Sequence, residues 1–505
     1  MPKGSTGAFI TGIALNSDVP LPLYRQLYEG LRQAILTRRL APGARLPSTR
    51  VLACELGISR YTVVDAFRQL SAEGYLEGKV GAGTYVTRTV PDDLLHPHQA
   101  GLSASVPGRC RRPQSQRSAE QMALGRHFLV TRLQQQYSQA FQVGVPALDA
   151  FPSTLWSQLV ARHARALPAS LHSYLHPAGY TPLRQAIASY LATARGVNCT
   201  AEQVIVVNGS QQGIALTAQV LLNPGEAVWM EDPGYPGAKG ALLGAGARLI
   251  PVPIDTEGLD VEAGKARCPE ARLAFITPSH QCPLGVTMSL QRRLALLEWA
   301  QEAGAWIIED DYDSEYRYVG RPLAALQGLD VARRVIYSGT FSKVLFPALR
   351  LGYLVVPPDL VEAFLAARLF ADMHSPVLEQ AVLAEFITEG HFTRHIRRMR
   401  MLYAERQTAL VEAAQQLSAW LTIRPSEAGM HTLGWLSAGS DDQAIAQLAA
   451  QHQVIAHPLS HYYIEPGEQR GLLLGYTSVS IPAIRAGVRR LVAALSSSMR
   501  PYCRG

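Results

Sequence analysis

Tyr337-Ser338-Gly339-Thr340-Phe341-Ser342-Lys343, with Arg350 seven residues further on, decides how this 505-residue chain reads. Hydroxyls and an arginine spaced around one lysine suit a cofactor that carries both an aldehyde and a phosphate. The amine can bind the first covalently, and the hydroxyls and guanidinium can hold the second. Pyridoxal 5'-phosphate is the cofactor so implied. Lysine is otherwise scarce, occurring only at Lys3, Lys79, Lys239 and Lys265, and neither Lys239 nor Lys265 stands in a comparable hydroxyl-rich turn.

Working outward from Lys343, short apolar runs alternate with helical ones: Val204 to Val207, Ala227 to Met230, Leu249 to Val252, Leu273 to Ile276, Trp306 to Ile308 and Val335 to Tyr337. That alternation predicts an α/β layered body with a largely parallel sheet. Ligand sites on such sheets gather at the carboxyl ends of the strands. Asn208-Gly209-Ser210-Gln211-Gln212-Gly213 leaves one strand and opens a helix whose first backbone N–H groups can bind phosphate. Glu231-Asp232-Pro233-Gly234-Tyr235-Pro236 leaves the next and offers an aromatic ring at a turn. Trp306-Ile307-Ile308-Glu309-Asp310-Asp311-Tyr312 is a buried strand ending in acids. Two-residue alternation puts Asp310 and Tyr312 on one side and Asp311 on the other.

The amino-terminal part has a different character. Residues 1–138 hold 17 Lys plus Arg against 9 Asp plus Glu, a net +8, which leaves 30 against 31, or −1, for residues 139–505. All the excess positive charge of the chain therefore lies at one end, as nucleic-acid binding by that end requires. Tyr24, Leu27, Tyr28, Leu31 and Ile35 make the apolar stripe of one helix. Ser48 is the expected N-cap of a second, Gly57 makes a tight turn, and Ser59 is the expected cap of a third. That third helix turns Val63, Ala66, Phe67 and Leu70 inward and Arg60, Tyr61, Thr62, Asp65 and Arg68 outward. Two short helices about a glycine turn form a helix-turn-helix. The glycine-rich stretch Tyr75 to Val86 predicts a hairpin wing behind it.

The string LPSTRVLACELGISRYTVVDAFRQLSAEGYLEGKVGAGTYV, residues 46–86, resembles the winged helix-turn-helix of GntR-type bacterial regulators. The resemblance implies that Arg50 and Thr62 hold the DNA backbone, that Arg60 reaches base edges, and that Gly83 lets the wing approach the minor groove. Ser59 completes the implied DNA-binding set. In the body, the lysine turn, the helix-opening glycines and the acidic strand end, in this order, resemble the fold-type-I aminotransferases. That resemblance implies attachment of the cofactor at Lys343, Asp310 against the pyridine nitrogen, Tyr312 on the ring oxygen and Tyr235 stacked on the ring. Ser210, Gln211, Thr340, Ser342 and Arg350 would hold the phosphate. The combination of head and body resembles the MocR subfamily of GntR regulators, and EDDYDSEY, SGTFSKVLFPALRLGY and TPSHQCPLG fit it better than the enzymes. The expected organisation is a DNA-binding domain at 21–88, a flexible linker at 89–137 and a cofactor-binding domain at 138–505. The resemblance further implies a head-to-tail homodimer that controls genes of amino-compound or vitamin B6 metabolism.

Two features depart from the enzymes. Their substrate-carboxylate arginine belongs to a late strand, here Gly471 to Tyr476, where Leu473 takes its place, although a small shift in placement would bring Arg470 in. An apolar residue cannot pair with a carboxylate. Their Asn-Pro step, which contacts the ring oxygen, reads Cys282-Pro283, leaving His280 as the nearby alternative donor. Sensing of the cofactor or of an amine, whose binding shifts the heads between states of different DNA affinity, is therefore the first functional expectation. A working aminotransferase with an accessory DNA-binding head is the second, and a cofactor-free dimerisation body is the third. The six cysteines, Cys54, Cys110, Cys199, Cys268, Cys282 and Cys503, form no Cys-x-x-Cys pair, so no metal site is expected. No apolar run approaches the ~20 residues of a bilayer crossing and no signal-peptide pattern opens the chain, which predicts a cytoplasmic protein.

Overall fold

The computed structural model describes residues 15–16, 20–79, 82–88, 115–133, 140–166, 168–320, 323–437 and 439–498. Val80 and Gly81 at the tip of the expected wing, and most of the expected linker, lie outside them. The chain divides into two compact units, Met1–Arg112 and Pro113–Gly505.

In the first unit, α1 (Leu23–Leu36), α2 (Thr49–Leu56) and α3 (Arg60–Ala72) enclose a core of their own with the hairpin of β1 (Leu76–Lys79) and β2 (Gly83–Val86). Leu27, Tyr28, Leu31 and Ile35 of the α1 stripe are buried, whereas Tyr24 at its start is 39% exposed. Both expected caps are formed. The Ser48 hydroxyl accepts from the Val51 N–H and the Ser59 hydroxyl from the Thr62 N–H, each satisfying an amide that the helix leaves unpaired. Gly57 closes α2 in the left-handed conformation at φ +64, the conformation that glycine adopts without strain.

The second unit is built on an eight-stranded sheet. Its strands are β3 (Val204–Val207), β4 (Ala227–Asp232), β5 (Arg248–Asp255), β6 (Gly258–Leu259), β7 (Leu273–Ile276), β8 (Trp306–Asp311), β9 (Val335–Thr340) and β10 (Gly352–Val355). Their order is β3-β10-β9-β8-β7-β4-β5-β6, and the run from β9 to β5 is parallel. The six expected strands are all present. The sequence reading missed β10, which runs antiparallel between β3 and β9. A smaller antiparallel sheet of β11 (Leu421–Ile423), β12 (His431–Leu436), β13 (His457–Pro458) and β14 (Gly471–Gly475) follows, in the order β11-β12-β14-β13.

The segment expected to be a flexible linker contains an 18-residue helix, Gln116–Leu133. Gln121 Nε2 donates to the Gly240 carbonyl at 3.1 Å, tying this helix to the helix Pro236–Ala245. Its weak amphipathic pattern explains why periodicity did not reveal it, while Gln, Arg, Ala, Glu and Leu make it a good helix former.

The end of β8 concentrates charge in the core. Glu309, Asp310 and Asp311 are all buried, as is Asp313 just beyond. Asp311 Oδ2 accepts from Arg195 Nε at 2.8 Å and from the Tyr337 hydroxyl. Arg195 spends its remaining donors on the Leu323 carbonyl and on Ser279 Oγ. Glu309 accepts from the Leu326 and Gln327 amides. Burial first, and the neighbouring Asp311 charge second, push its carboxyl up to about 7.

Replacement of Arg195 by Met would leave Asp311 buried without its cation, and is expected to destabilise the protein by about 3–5 kcal/mol in urea denaturation. A loss under about 1 kcal/mol would show that the pair is dispensable. For Glu309 the folded chain keeps a proton that the unfolded chain has lost between pH 4.5 and about 7. Its contribution to stability is complete below that window and is lost as pH rises through it. Urea denaturation of Glu309→Gln across this range is expected to show a shallower fall of stability with pH than the parent. An unchanged slope would assign the dependence to other groups.

Candidate functional site

The carboxyl ends of β4, β7, β8 and β9 point to one region, and Lys343 enters it from the turn after β9. Its Nζ donates to the Gly144 carbonyl at 2.9 Å. Gly144 has φ +73, and a Cβ there would lie 2.7 Å from Nζ, so only glycine lets the backbone come this close. The ammonium also lies near enough to Asp310, Cys282 and His431 to influence the protonation of each.

Asp310 stands opposite Ser338 in the β8–β9 register and is 3% exposed. Burial raises its carboxyl to about 7, and its Oδ1 has no hydrogen-bond partner. As strand alternation predicts, Asp311 turns the other way, to Arg195. Tyr312 lies on the Lys343 side, with its hydroxyl 3.0 Å from His280 Nδ1, and that nitrogen is also 3.1 Å from Asp313 Oδ2. His431, on β12, has its ring centroid 5.3 Å from that of His280, and burial lowers it to about 4, so it is neutral.

A second group of expected residues surrounds the start of the helix Ser210–Leu221. Its N-cap, Gly209, has φ +93. A Cβ on Gly352 would lie 2.9 Å from the Gly209 Cα and 2.8 Å from the Gly339 carbonyl. These glycines let the helix start and the β9–β10 turn approach each other at backbone contact. Arg350, held at φ +52, donates from Nη2 to the Asn208 carbonyl at 2.7 Å. Thr340 Oγ1 accepts from the Ser342 amide, while the buried Ser342 Oγ has no partner. Ser210 occupies the first turn of the helix. The Gln211 side chain donates to the Gly237 carbonyl and accepts from the Tyr235 hydroxyl at 3.3 Å, so Gln211 has its backbone N–H, not its amide side chain, available to an anion.

The sequence reading missed the support behind this cradle. Asn208 Nδ2 and Gln212 Nε2 both donate to Asp372 Oδ2, at 2.7 and 2.8 Å. Asp372 also pairs with Arg368, whose side chain is wholly buried. Gly144, Asp372 and Arg368 lie far from Lys343 in sequence and carry no motif, so only the fold assembles them. Arg195 stood in plain view as a charged residue at the end of a largely apolar helix, and Asp313 as part of the acidic run Glu309 to Glu315, which are the signals that could have found them.

In the first unit, Arg50, Ser59, Arg60 and Gly83 are exposed, Thr62 is partly so, and Tyr61 is 82% exposed. Arg60 Nε lies 3.5 Å from Thr49 Oγ1, which joins the starts of α2 and α3 on one face. Arg45 is a further cation here: its guanidinium lies beside Gly83, where a Cβ would come 3.1 Å from Nε. The outward face of α3 is thus polar and cationic, as insertion into a major groove demands.

The residues at the two expected departures from the enzymes have well-defined surroundings. Leu473 is wholly buried and packs with Leu433, Leu459 and Tyr462. Arg470 turns its guanidinium to the Gly467 and Gln469 carbonyls of its own loop. Cys282 lies among Glu231, Asp313, Lys343 and Asp310, and burial holds its thiol far up, in the protonated form.

The profile of aminotransferase class I and II matches residues 142–472, and that of the bacterial regulatory proteins of the gntR family matches residues 23–86. The chain is 42% identical to the probable rhizopine catabolism regulatory protein MocR of Rhizobium meliloti, over 95% of each chain. It is 32% identical to the pyridoxine biosynthesis transcriptional regulator PdxR of Corynebacterium glutamicum, over 92% of this chain and 94% of that one. Among solved structures, the kynurenine aminotransferase of Pyrococcus horikoshii, in complex with PMP, superposes with a TM-score of 0.71 at 28% identity, covering 78% of this chain and 99% of that one. Among the described residues no helix is long and apolar enough to cross a membrane. With a GntR-type head and an aminotransferase-type body joined in one chain, and a full-length likeness to a regulator built the same way, this protein belongs to the MocR-type transcriptional regulators of the GntR family.

Proposed function

We propose that this regulator binds pyridoxal 5'-phosphate covalently at Lys343 and uses the bound cofactor to sense an amine, or the vitamer itself, and so to change its grip on an operator. The observation that carries this reading is the buried Asp310 carboxylate beside the one lysine of the site, with Oδ1 unpaired and no cation, histidine or amide hydrogen-bonded to it, unlike its neighbours Asp311 and Asp313. An unpaired buried acceptor of this kind is costly unless a ligand completes it. A protonated pyridine nitrogen supplies the missing donor. The unpartnered Ser342 hydroxyl, the Ser210 helix start and Arg350 likewise fit a phosphate.

When bound, the cofactor supplies an electrophilic carbon that amines attack. The chain's own residues do the rest. Lys343 holds it, Asp310 keeps the ring nitrogen protonated, Tyr312 donates to the ring oxygen, and Tyr235 covers the ring face. Thr340, Ser342, Arg350, Ser210 and the Gln211 amide fix the phosphate. Leu473 in place of an arginine favours sensing over rapid turnover of amino acids, since no guanidinium at that position holds a carboxylate. The names of two relatives, concerned with rhizopine catabolism and pyridoxine biosynthesis, support a small amine or a B6 compound as the effector. The head would bind double-stranded DNA through Arg50, Ser59, Arg60, Thr62 and Gly83. We further propose a head-to-tail homodimer in the cytoplasm, matching the two half-sites that a symmetric operator offers.

Borohydride reduction of the protein incubated with pyridoxal phosphate is expected to fix one equivalent of cofactor, and Lys343→Ala to fix none while keeping its unfolding transition. A reducible adduct retained in that variant would place the attachment elsewhere. Arg60→Ala is expected to weaken binding to the operator upstream of the protein's own gene by about 1–3 kcal/mol and to relax base preference. Footprints that are unchanged in this variant would remove Arg60 from readout. Footprints identical with and without the cofactor and candidate amines would overturn the sensing role.

A further inference from the structure

Tyr312 does not stand alone in the site. His280 Nδ1 lies 3.0 Å from its hydroxyl and 3.1 Å from Asp313 Oδ2, so one ring nitrogen faces two oxygens. His280 and Asp313 are 2% and 1% exposed, so their hydrogen bonds are made away from bulk water. His280 Nε2 has no partner; it faces Gly285, where a Cβ would sit 3.2 Å away. The ring has no room to tilt toward Gly429. A Cβ on Gly429 would lie 2.0 Å from His280 Cε1, so the imidazole is packed flush against this glycine. Gly429 is itself pinned. Its amide donates to the Tyr316 carbonyl, its own carbonyl accepts from the Tyr318 and Tyr476 hydroxyls, and its φ is +91.

We propose that Asp313, acting through His280, fixes Tyr312 as a hydrogen-bond donor toward the ring oxygen of the bound cofactor, so that two residues which need not touch the cofactor set its protonation state. The inference rests on the cofactor reading above.

The argument is one of proton placement. A neutral imidazole carries one ring hydrogen. On Nε2 that hydrogen would be a buried donor with no acceptor. On Nδ1 it meets a carboxylate and a phenol oxygen, a charge-assisted arrangement that is stronger than a neutral one. Asp313 therefore selects the Nδ1–H tautomer. With Nδ1–H donating, Tyr312 can only accept on that side, and its own hydrogen must point away from His280 into the site. In the opposite tautomer Tyr312 would donate to Nδ1 and be lost to the cofactor. The groups around the pair support this assignment. His431, from β12, is neutral and donates nothing to Nδ1, its Nε2 lying 3.1 Å from the Pro283 carbonyl. Cys282, from the loop after β7, keeps its proton, and Asp310, Glu231 and Lys343 complete the ionisable set facing Tyr312 and Cys282. With a thiol, a poor donor, at position 282, Tyr312 is left as the principal donor to the ring oxygen. His280 then does not replace the missing donor directly; it secures the one that remains.

A hydrogen bond donated to the ring oxygen stabilises negative charge there and lowers the pH at which the cofactor–lysine linkage loses its proton. The visible absorption of the loaded full-length protein, titrated with pH, reads that midpoint. His280→Phe keeps a flat ring against Gly429, and Asp313→Asn keeps the carboxylate's shape while favouring the wrong tautomer. Each is expected to raise the midpoint by about one pH unit, the scale of one hydrogen bond. Tyr312→Phe is expected to raise it as well, and His280→Phe to add nothing further in that background, because its effect passes through the phenol. A midpoint unmoved in both His280→Phe and Asp313→Asn, or shifts that add fully to that of Tyr312→Phe, would overturn the proposal. A parent protein that shows no visible band with pyridoxal phosphate would overturn the cofactor reading itself, and this one with it.

Discussion

Four acids within five residues at the end of one buried strand form the constraint on which the body depends. Glu309, Asp310, Asp311 and Asp313 lie where water does not reach, and uncompensated charge there would cost more than the domain's whole stability. Each therefore needs its own solution. Glu309 takes two backbone amides and is raised to about 7. Asp311 takes a buried arginine and a tyrosine, and Asp313 takes a histidine. Asp310 has no arginine, histidine or backbone amide, only the Ser338 hydroxyl beside it, and it is the acid whose charge Lys343 offsets. The acids held by partners within the protein and the one facing Lys343 are thus sorted by the two faces of a single strand.

The same economy governs the backbone around the pocket. Gly144, Gly352 and Gly429 each stand where a Cβ would strike a side chain of the site or a neighbouring main chain, and Gly209 adopts φ +93, which favours glycine. They let segments drawn from distant parts of the sequence close on one lysine without leaving a void. Behind the helix start at Ser210, the network of Asn208, Gln212, Asp372 and Arg368 fixes the main chain that an anion would meet. Preorganisation of this kind costs binding energy in advance, during folding, and leaves little to reorganise when a ligand arrives.

Much of this was legible in the sequence, for identifiable reasons. The six main strands announced themselves as short apolar runs, five of them in the parallel stretch from β9 to β5, where burial on both faces favours such runs. The caps at Ser48 and Ser59 were legible because capping is local chemistry. The strand β10 was not, since four residues between two turns carry no period. The helix Gln116–Leu133 was read as tether because its apolar residues make no stripe, and what holds it, such as Gln121 on the Gly240 carbonyl, lies more than a hundred residues away. Lys343, Asp310 and Tyr312 could be picked out from motifs, whereas Gly144, Asp372 and the contacts of His280 with Tyr312 and Asp313 could not.

The amino-acid sequence by itself determined the two-part architecture, the basic head and which lysine stands in the hydroxyl-rich turn, because periodicity, capping and motif spacing act over a few residues at a time. Only the tertiary structure decided which of the clustered acids is left without a cation, histidine or amide partner, which nitrogen of His280 meets a partner, and which glycines are spaces rather than hinges. Those outcomes depend on what packs against each side chain from elsewhere in the chain, and burial makes the presence or absence of a single partner worth more than any local preference.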